Sequence, residues 1–139
     1  MYIVRDIIIM PTIHYVKDEN GQAPVFDLIY EIALRGMEDK GYANLAKYIA
    51  QALDYLEDVG VPEKKFLPFY TERDNGRPLT FATILKELTH HSPLLEFRVN
   101  WRGTGYFRAI FFCVEDESEQ ILLEFRTPNN KGFSVYIAA

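Results

Sequence analysis

The sequence predicts an α+β domain, with N-terminal helices packed on a twisted antiparallel sheet of about four strands. Two observations carry this. Apolar residues recur at three-and-four spacing through residue 59, and from Pro93 onward the period changes to two. Length adds a third: 139 residues suit one domain, which can bury about two thirds of its unfolded surface. The expected layout is a single domain over 1–139. It has an N-terminal extension (1–22), a helical part (23–92) and an antiparallel sheet (93–139).

Taken in order, residues 2–10 and 12–16 are β-like runs, separated by Pro11, which marks a bend or an edge because it cannot donate to a ladder. Lys-Asp-Glu-Asn-Gly at 17–21 is a polar turn. Pro24 suits a first helical position, and Val25, Leu28, Ile29 and Ile32 form one apolar face, predicting a helix over 24–37 that ends at Gly36 or Gly41. A second helix over 43–59 has Leu45, Ala46, Ile49, Leu53 and Leu56 as its stripe and Asn44 as a weak cap. Gly60 and Pro62 end it. The short connection predicts an antiparallel helix pair. Residues 61–79, rich in Pro and Gly, are expected to be a connection, and 80–90 a short helix with Phe81, Ile84, Leu85 and Leu88 on one side.

Leu95, Phe97, Val99 and Trp101 then alternate with Glu96, Arg98, Asn100 and Arg102, predicting a half-buried strand. Residues 102–105 make a turn. Residues 106–114 are almost continuously apolar and predict a central strand. An acidic turn at 115–119, a strand at 120–126, a turn at 128–132 and a strand at 133–137 complete the sheet.

Composition bounds the function. Apolar residues at 48% and charged residues at 25% exclude a mainly disordered chain. Fifteen basic and 20 acidic side chains leave a net charge of −5, which argues against a generic basic nucleic-acid binder. The charge is uneven. Residues 1–92 carry 10 basic and 14 acidic side chains, whereas the segment from Arg98 to Arg108 holds three arginines and no acid. An RNA site is therefore restricted to a local patch. The single cysteine, Cys113, cannot make an intrachain disulfide and is expected to be a small buried hydrophobe. No stretch resembles a signal peptide or a membrane span, so a cytoplasmic location is expected, with no membrane partner.

The period of two places Glu96, Arg98, Asn100 and Arg102 on one strand face. Hairpin pairing can bring Arg98 near Arg108, subject to a register the sequence leaves open. Clustered guanidinium groups match phosphate oxygens with planar, always-charged forks of donors. RNA cleavage without metal needs a base for the 2′-hydroxyl, donors for the phosphate and an acid for the leaving oxygen. Arginines supply the donors, and Tyr106 or Tyr136 can supply a proton. The competing reading pairs Arg98 with Glu96 or Glu124 across the sheet as a structural ion pair. His90-His91 lacks a third ligand at recognisable spacing and fits a helix end, so no metal or other cofactor is expected. Gly103 and Gly105 are turn residues.

The succession of two helices, Leu85-x-x-Leu88, Leu95-Glu96-Phe97-Arg98, Gly105-Tyr106-Phe107-Arg108-Ala109-Ile110-Phe111-Phe112, an acidic turn and Ile121-Leu122-Leu123 resembles the phage-derived RelE/HigB-like toxin family. Members typically show Leu-x-Glu-Leu-Arg followed by Tyr-Arg-Ile-x-Tyr-Phe. The resemblance spans about residues 24–127, and its diagnostic part is about twenty residues on two strands. It implies a RelE-like α+β fold and a toxin that cleaves mRNA, usually on the ribosome, without metal. A helix-turn-helix antitoxin would neutralise it. Glu96 and Arg98 match the Glu-Leu-Arg positions, and Arg108 matches the arginine after Tyr. Arg126, Lys131 and Tyr136 fall where the toxins place late basic and aromatic residues.

On this reading Arg98 and Arg108 hold the scissile phosphate and Arg126 assists. Tyr136 and Tyr106 transfer protons, while Glu96, Arg102 and Lys131 contact substrate. The chain departs from the family pattern in lacking Lys-Lys and a final helix, and in being acidic. Those departures motivate a second expectation, a non-catalytic protein-binding module on the same fold, serving as a phage or prophage accessory protein.

Overall fold

A computed structural model describes residues 12–91, 94–115, 121–125 and 135–138, with Thr12 and everything from residue 114 onward described by backbone alone. The elements are β1 (Thr12–Tyr15), α1 (Pro24–Arg35), α2 (Lys40–Val59), β2 (Phe69–Glu72), β3 (Pro78–Phe81), β4 (Leu85–Glu87), β5 (Leu95–Trp101), β6 (Gly105–Glu115), β7 (Ile121–Phe125) and β8 (Val135–Ala138). The class is mixed α+β. The expected strand over 2–10, the bend at Pro11 and the turn at 128–132 lie outside the described residues; of the acidic turn expected at 115–119, Glu115 ends β6 and the rest lies outside them.

Pro24 opens α1 at its first turn, as expected. The helix stops at Gly36, which keeps right-handed helical geometry (φ −64°). Close approach explains the glycine: a Cβ there would lie 2.7 Å from Ala43 Cα and 2.8 Å from Ala43 N, so α1 and α2 meet backbone to backbone. The cap of α2 is Asp39, not Asn44. Its carboxylate accepts from Gly41 N at 2.8 Å and Tyr42 N at 3.3 Å, so the helix starts three residues earlier than its apolar stripe suggests.

The middle of the chain departs most from expectation. Residues 61–79 include β2, which pairs antiparallel with β3 in a separate two-stranded sheet. The expected helix over 80–90 is absent, and its residues form the end of β3 and all of β4. Thr83 explains why. Its hydroxyl accepts from Leu85 N at 3.1 Å and donates to Leu85 O, occupying backbone groups that a helix would use itself, and it also accepts from Leu67 N at 3.3 Å. Ile84 N donates to Leu67 O, Arg98 N donates to Ile84 O, and β4 continues as a partner of β5. The helix-like spacing of Ile84 and Leu85 reflects burial on both sides of a bend, since both are fully buried. His90 and His91 are therefore exposed at a turn rather than at a helix end.

The main sheet has the order β1-β7-β6-β5-β4. It is not the expected four-strand meander. β1 joins it parallel to β7, and β8 returns to pair with β6. One edge of β6 pairs along β5. The other is shared, with β8 against residues 106–109 and β7 against residues 111–115.

Leu95, Phe97, Val99, Phe107, Ala109 and Phe111 are buried on the sheet face that meets α2, which contributes Leu45, Ile49, Ala52 and Leu56. No polar or charged side chain among the described residues is fully buried. The core is therefore apolar, and the alternate residues of β5 and β6 are left on the opposite face. Among the described residues no helix is long and apolar enough to cross a membrane. Cys113 is exposed rather than buried. Its thiol is nevertheless partly desolvated, which pushes its pKa up to about 11.

Candidate functional site

The face of the sheet turned away from the helices brings the predicted arginines together. In the β5–β6 register Arg98 stands directly opposite Arg108, and Asn100 directly opposite Tyr106. Glu96 sits against both guanidinium groups, with its Oε1 3.5 Å from Arg108 Nε and 3.9 Å from Arg98 Nη1. Arg108 Nη1 also donates to Asn100 Oδ1 and to the Phe107 carbonyl, and its guanidinium lies 5.4 Å from the Tyr106 ring centre. Partial burial, and then the neighbouring Arg98 charge, hold the Arg108 pKa below the usual arginine range. Glu96 and Tyr106 oppose that shift. Two half-buried cations with one carboxylate between them form a site where an added anion is electrostatically favoured.

Beside this face lies a cleft of about 670 Å³ between the β2–β3 hairpin and the turn joining β5 to β6. Arg73, Thr80, Asn100, Trp101, Arg102 and Tyr106 line it, and no carboxylate is among its described lining residues. Its walls are held from behind. Gly103 adopts a left-handed conformation (φ +85°) in the β5–β6 turn. That turn is seated on α2: a Cβ on Gly41 would come within 2.1 Å of Thr104 Oγ1. On the other wall, α2 grips β2 and its turn. Tyr48 Oη donates to the Glu72 carbonyl at 3.3 Å, Thr71 Oγ1 donates to Gln51 Oε1 at 2.7 Å, and Lys47 pairs with Asp74. Trp101 forms the floor, stacked on Tyr48 at 4.9 Å between ring centres, with the Arg73 guanidinium 5.5 Å from its own ring centre.

A smaller recess of about 120 Å³ lies next to the cleft. Arg98 lines it, and it shares Phe81, Ala82 and Asn100 with the cleft.

Of the residues singled out from sequence, Glu96, Arg98, Tyr106 and Arg108 share one face, and Arg102 stands at the turn in the adjoining cleft. Tyr136 is placed by its backbone in register with Arg108 on β8. Arg126 and Lys131 lie outside the described residues. Sequence reasoning missed Arg73 and the whole β2–β3 wall. The signal was present: Asn75-Gly76 between Phe69-Tyr70-Thr71 and Leu79-Thr80-Phe81 is a strong hairpin pattern. Gly76 is left-handed there (φ +82°), and Asn75 Oδ1 accepts from Arg77 N at 3.0 Å. Among the described residues no three His, Cys, Asp or Glu side chains group as metal ligands do. No family model, curated protein or solved structure matches the chain.

Proposed function

We propose that this chain is a toxin-like protein that acts on RNA, as its resemblance to the RelE/HigB-like family implies. The observation that supports it best is the register placing Arg98 opposite Arg108, with Tyr106 one position along the same face. Two guanidinium forks across a strand pair can take the non-bridging oxygens of one phosphate, displacing Glu96 from between them. In strand cleavage a base takes the proton of the attacking 2′-hydroxyl and an acid returns one to the leaving 5′-oxygen. Tyr106 and Tyr136 are the proposed proton-transfer groups, with Arg126 and Lys131 as further contacts from the C-terminal segment. The resemblance also implies ribosome-bound mRNA as substrate and a helix-turn-helix antitoxin as partner, in the cytoplasm.

Induced expression in a bacterium tests this. Growth arrest with loss of full-length mRNA is expected. The pair Arg98→Ala and Arg108→Ala should relieve both, with the fold of the variant confirmed by circular dichroism. Unimpaired growth with intact transcripts refutes the reading.

A second reading has its own support. Glu96 lies within 4 Å of both arginines, as a structural ion-pair network requires. The protein would then be a non-catalytic binding module that takes up a partner through this face or by strand addition at a sheet edge. A stoichiometric protein partner recovered by pull-down, with no RNA cleavage, would favour it.

A further inference from the structure

We propose that the cleft between the β2–β3 hairpin and the β5–β6 turn is a nucleotide subsite. It would accept one unpaired base and its phosphate from a single strand that continues past Arg98 and Arg108. The inference rests on the RNA reading for the identity of the strand, and it adds a place where that strand is gripped. The volume, about 670 Å³, is ample for a nucleotide.

The lining is unusual for this chain. The protein carries 20 acidic side chains against 15 basic ones, yet the cleft presents Arg73 and Arg102 with no carboxylate among its described lining residues. The nearby acid, Asp74, is paired with Lys47.

Trp101 is a prepared stacking platform. It remains partly exposed, and its ring is already held by Tyr48 behind it. Little freedom is lost when a base lies against a ring fixed in advance. Any base offers a π-face, so such stacking tolerates sequence variation. Arg73 already lies over the Trp101 ring, 5.5 Å from its centre, so a base would enter by displacing the exposed Arg73 side chain outward, where its planar cation can cover the stacked base. Arg102 on the turn, with Asn100 and Thr80, leaves donors for phosphate and base edge.

Continuity with the arginine pair also favours a strand over a free small molecule. The Arg98 recess opens beside the cleft through shared Phe81, Ala82 and Asn100, and Asn100 is two residues from Arg98 on the same face. Two residues along a strand are about 7 Å. A phosphate at Arg98 and Arg108 therefore leaves the neighbouring nucleotide beside Asn100, from where it reaches Trp101, on the helix-facing side, by turning around the edge of β5 beyond its last pairing with β4 at Phe97.

Trp101 is the chain's single tryptophan, so it reports on its own site. The probe is a short single-stranded 2′-O-methyl oligonucleotide, which lacks the attacking hydroxyl and is not cut. An abasic phosphodiester chain of equal length serves as the control. The oligonucleotide should quench Trp101 emission saturably, and the abasic chain should bind more weakly without that quench. The exposed substitutions Arg73→Ala and Arg102→Ala together should weaken binding about tenfold or more. Arg102→Ala alone should lower the salt slope of log K by about 0.7.

Unchanged Trp101 emission while RNA is bound and cut would overturn the subsite and leave the RNA reading intact. Quenching that needs both arginines, in a protein that neither arrests growth nor cuts transcripts, would uphold the subsite and overturn the cleavage reading. No oligonucleotide binding, or equal quenching by the abasic chain, would overturn the subsite.

Discussion

Replacing Glu96 with Gln removes the carboxylate that separates two guanidinium groups while keeping the side chain's size. The separations are 3.5 Å to Arg108 Nε and 3.9 Å to Arg98 Nη1. At the dielectric of water each such pair is worth about 1 kcal/mol, and a lower effective dielectric raises the attraction together with the desolvation cost it offsets. The three side chains are 20–26% exposed, so solvent screens them only in part, and about 1 kcal/mol per pair is the upper end of what such contacts contribute. The arginines then face each other directly with no carboxylate between them, and like charges in that position destabilise further. A total loss of about 2 kcal/mol follows, lowering the thermal midpoint by roughly 4–8 °C for a chain of this size. Thermal unfolding followed by circular dichroism measures it. Phosphate should restore the Glu96→Gln protein more than it raises the wild type, because an anion takes the place of the lost carboxylate. Adding Arg98→Ala to Glu96→Gln should recover much of the loss. If Glu96→Gln matches the wild type in midpoint, or phosphate affects both equally, the arginines do not sense each other and the case for an anion site here fails.

Gly36→Ala should cost about 1–3 kcal/mol in urea unfolding, because its Cβ would meet the Ala43 backbone rather than a side chain that can turn aside. Asp39→Ala should cost about 1 kcal/mol by removing the acceptor for the Gly41 and Tyr42 amides, and Asp39→Ser should restore most of it. Cys113 should react with a maleimide on the order of a hundredfold slower at pH 8 than an unperturbed thiol. Its pKa is raised to about 11 by desolvation, so the neutral form dominates until pH approaches that value, and the rate should climb through that range.

Some of this architecture is legible in local pattern alone. Pro24 with its apolar stripe marks α1, and the strict alternation of residues 95–101 separates the buried Leu95, Phe97 and Val99 from Glu96, Arg98 and Asn100. Such patterns are readable because a helix or a half-buried strand repeats its environment at a fixed period. The segment from 80 to 90 misleads for the same reason. Phe81, Ile84, Leu85 and Leu88 have helical spacing, but Thr83 ties the backbone to Leu67, sixteen residues away, and no local periodicity reports a bond of that range. The cap at Asp39 is overlooked because the apolar stripe begins later than the helix does.

By itself, the sequence determined the α+β class, both helices, the β5–β6 hairpin whose stretch from Arg98 to Arg108 holds three arginines and no acid, and the concentration of the acidic excess in residues 1–92. Only the tertiary structure decided that Arg98 stands opposite Arg108 with Glu96 against both, that β1 and β8 close around β7 and β6, and that Arg73 meets Trp101 across a cleft. The physical reason is range. Face and period are set by neighbours in the chain. Register and cleft walls are set by contacts between residues far apart in sequence, and a slip of one residue would have turned every one of these side chains to the other face.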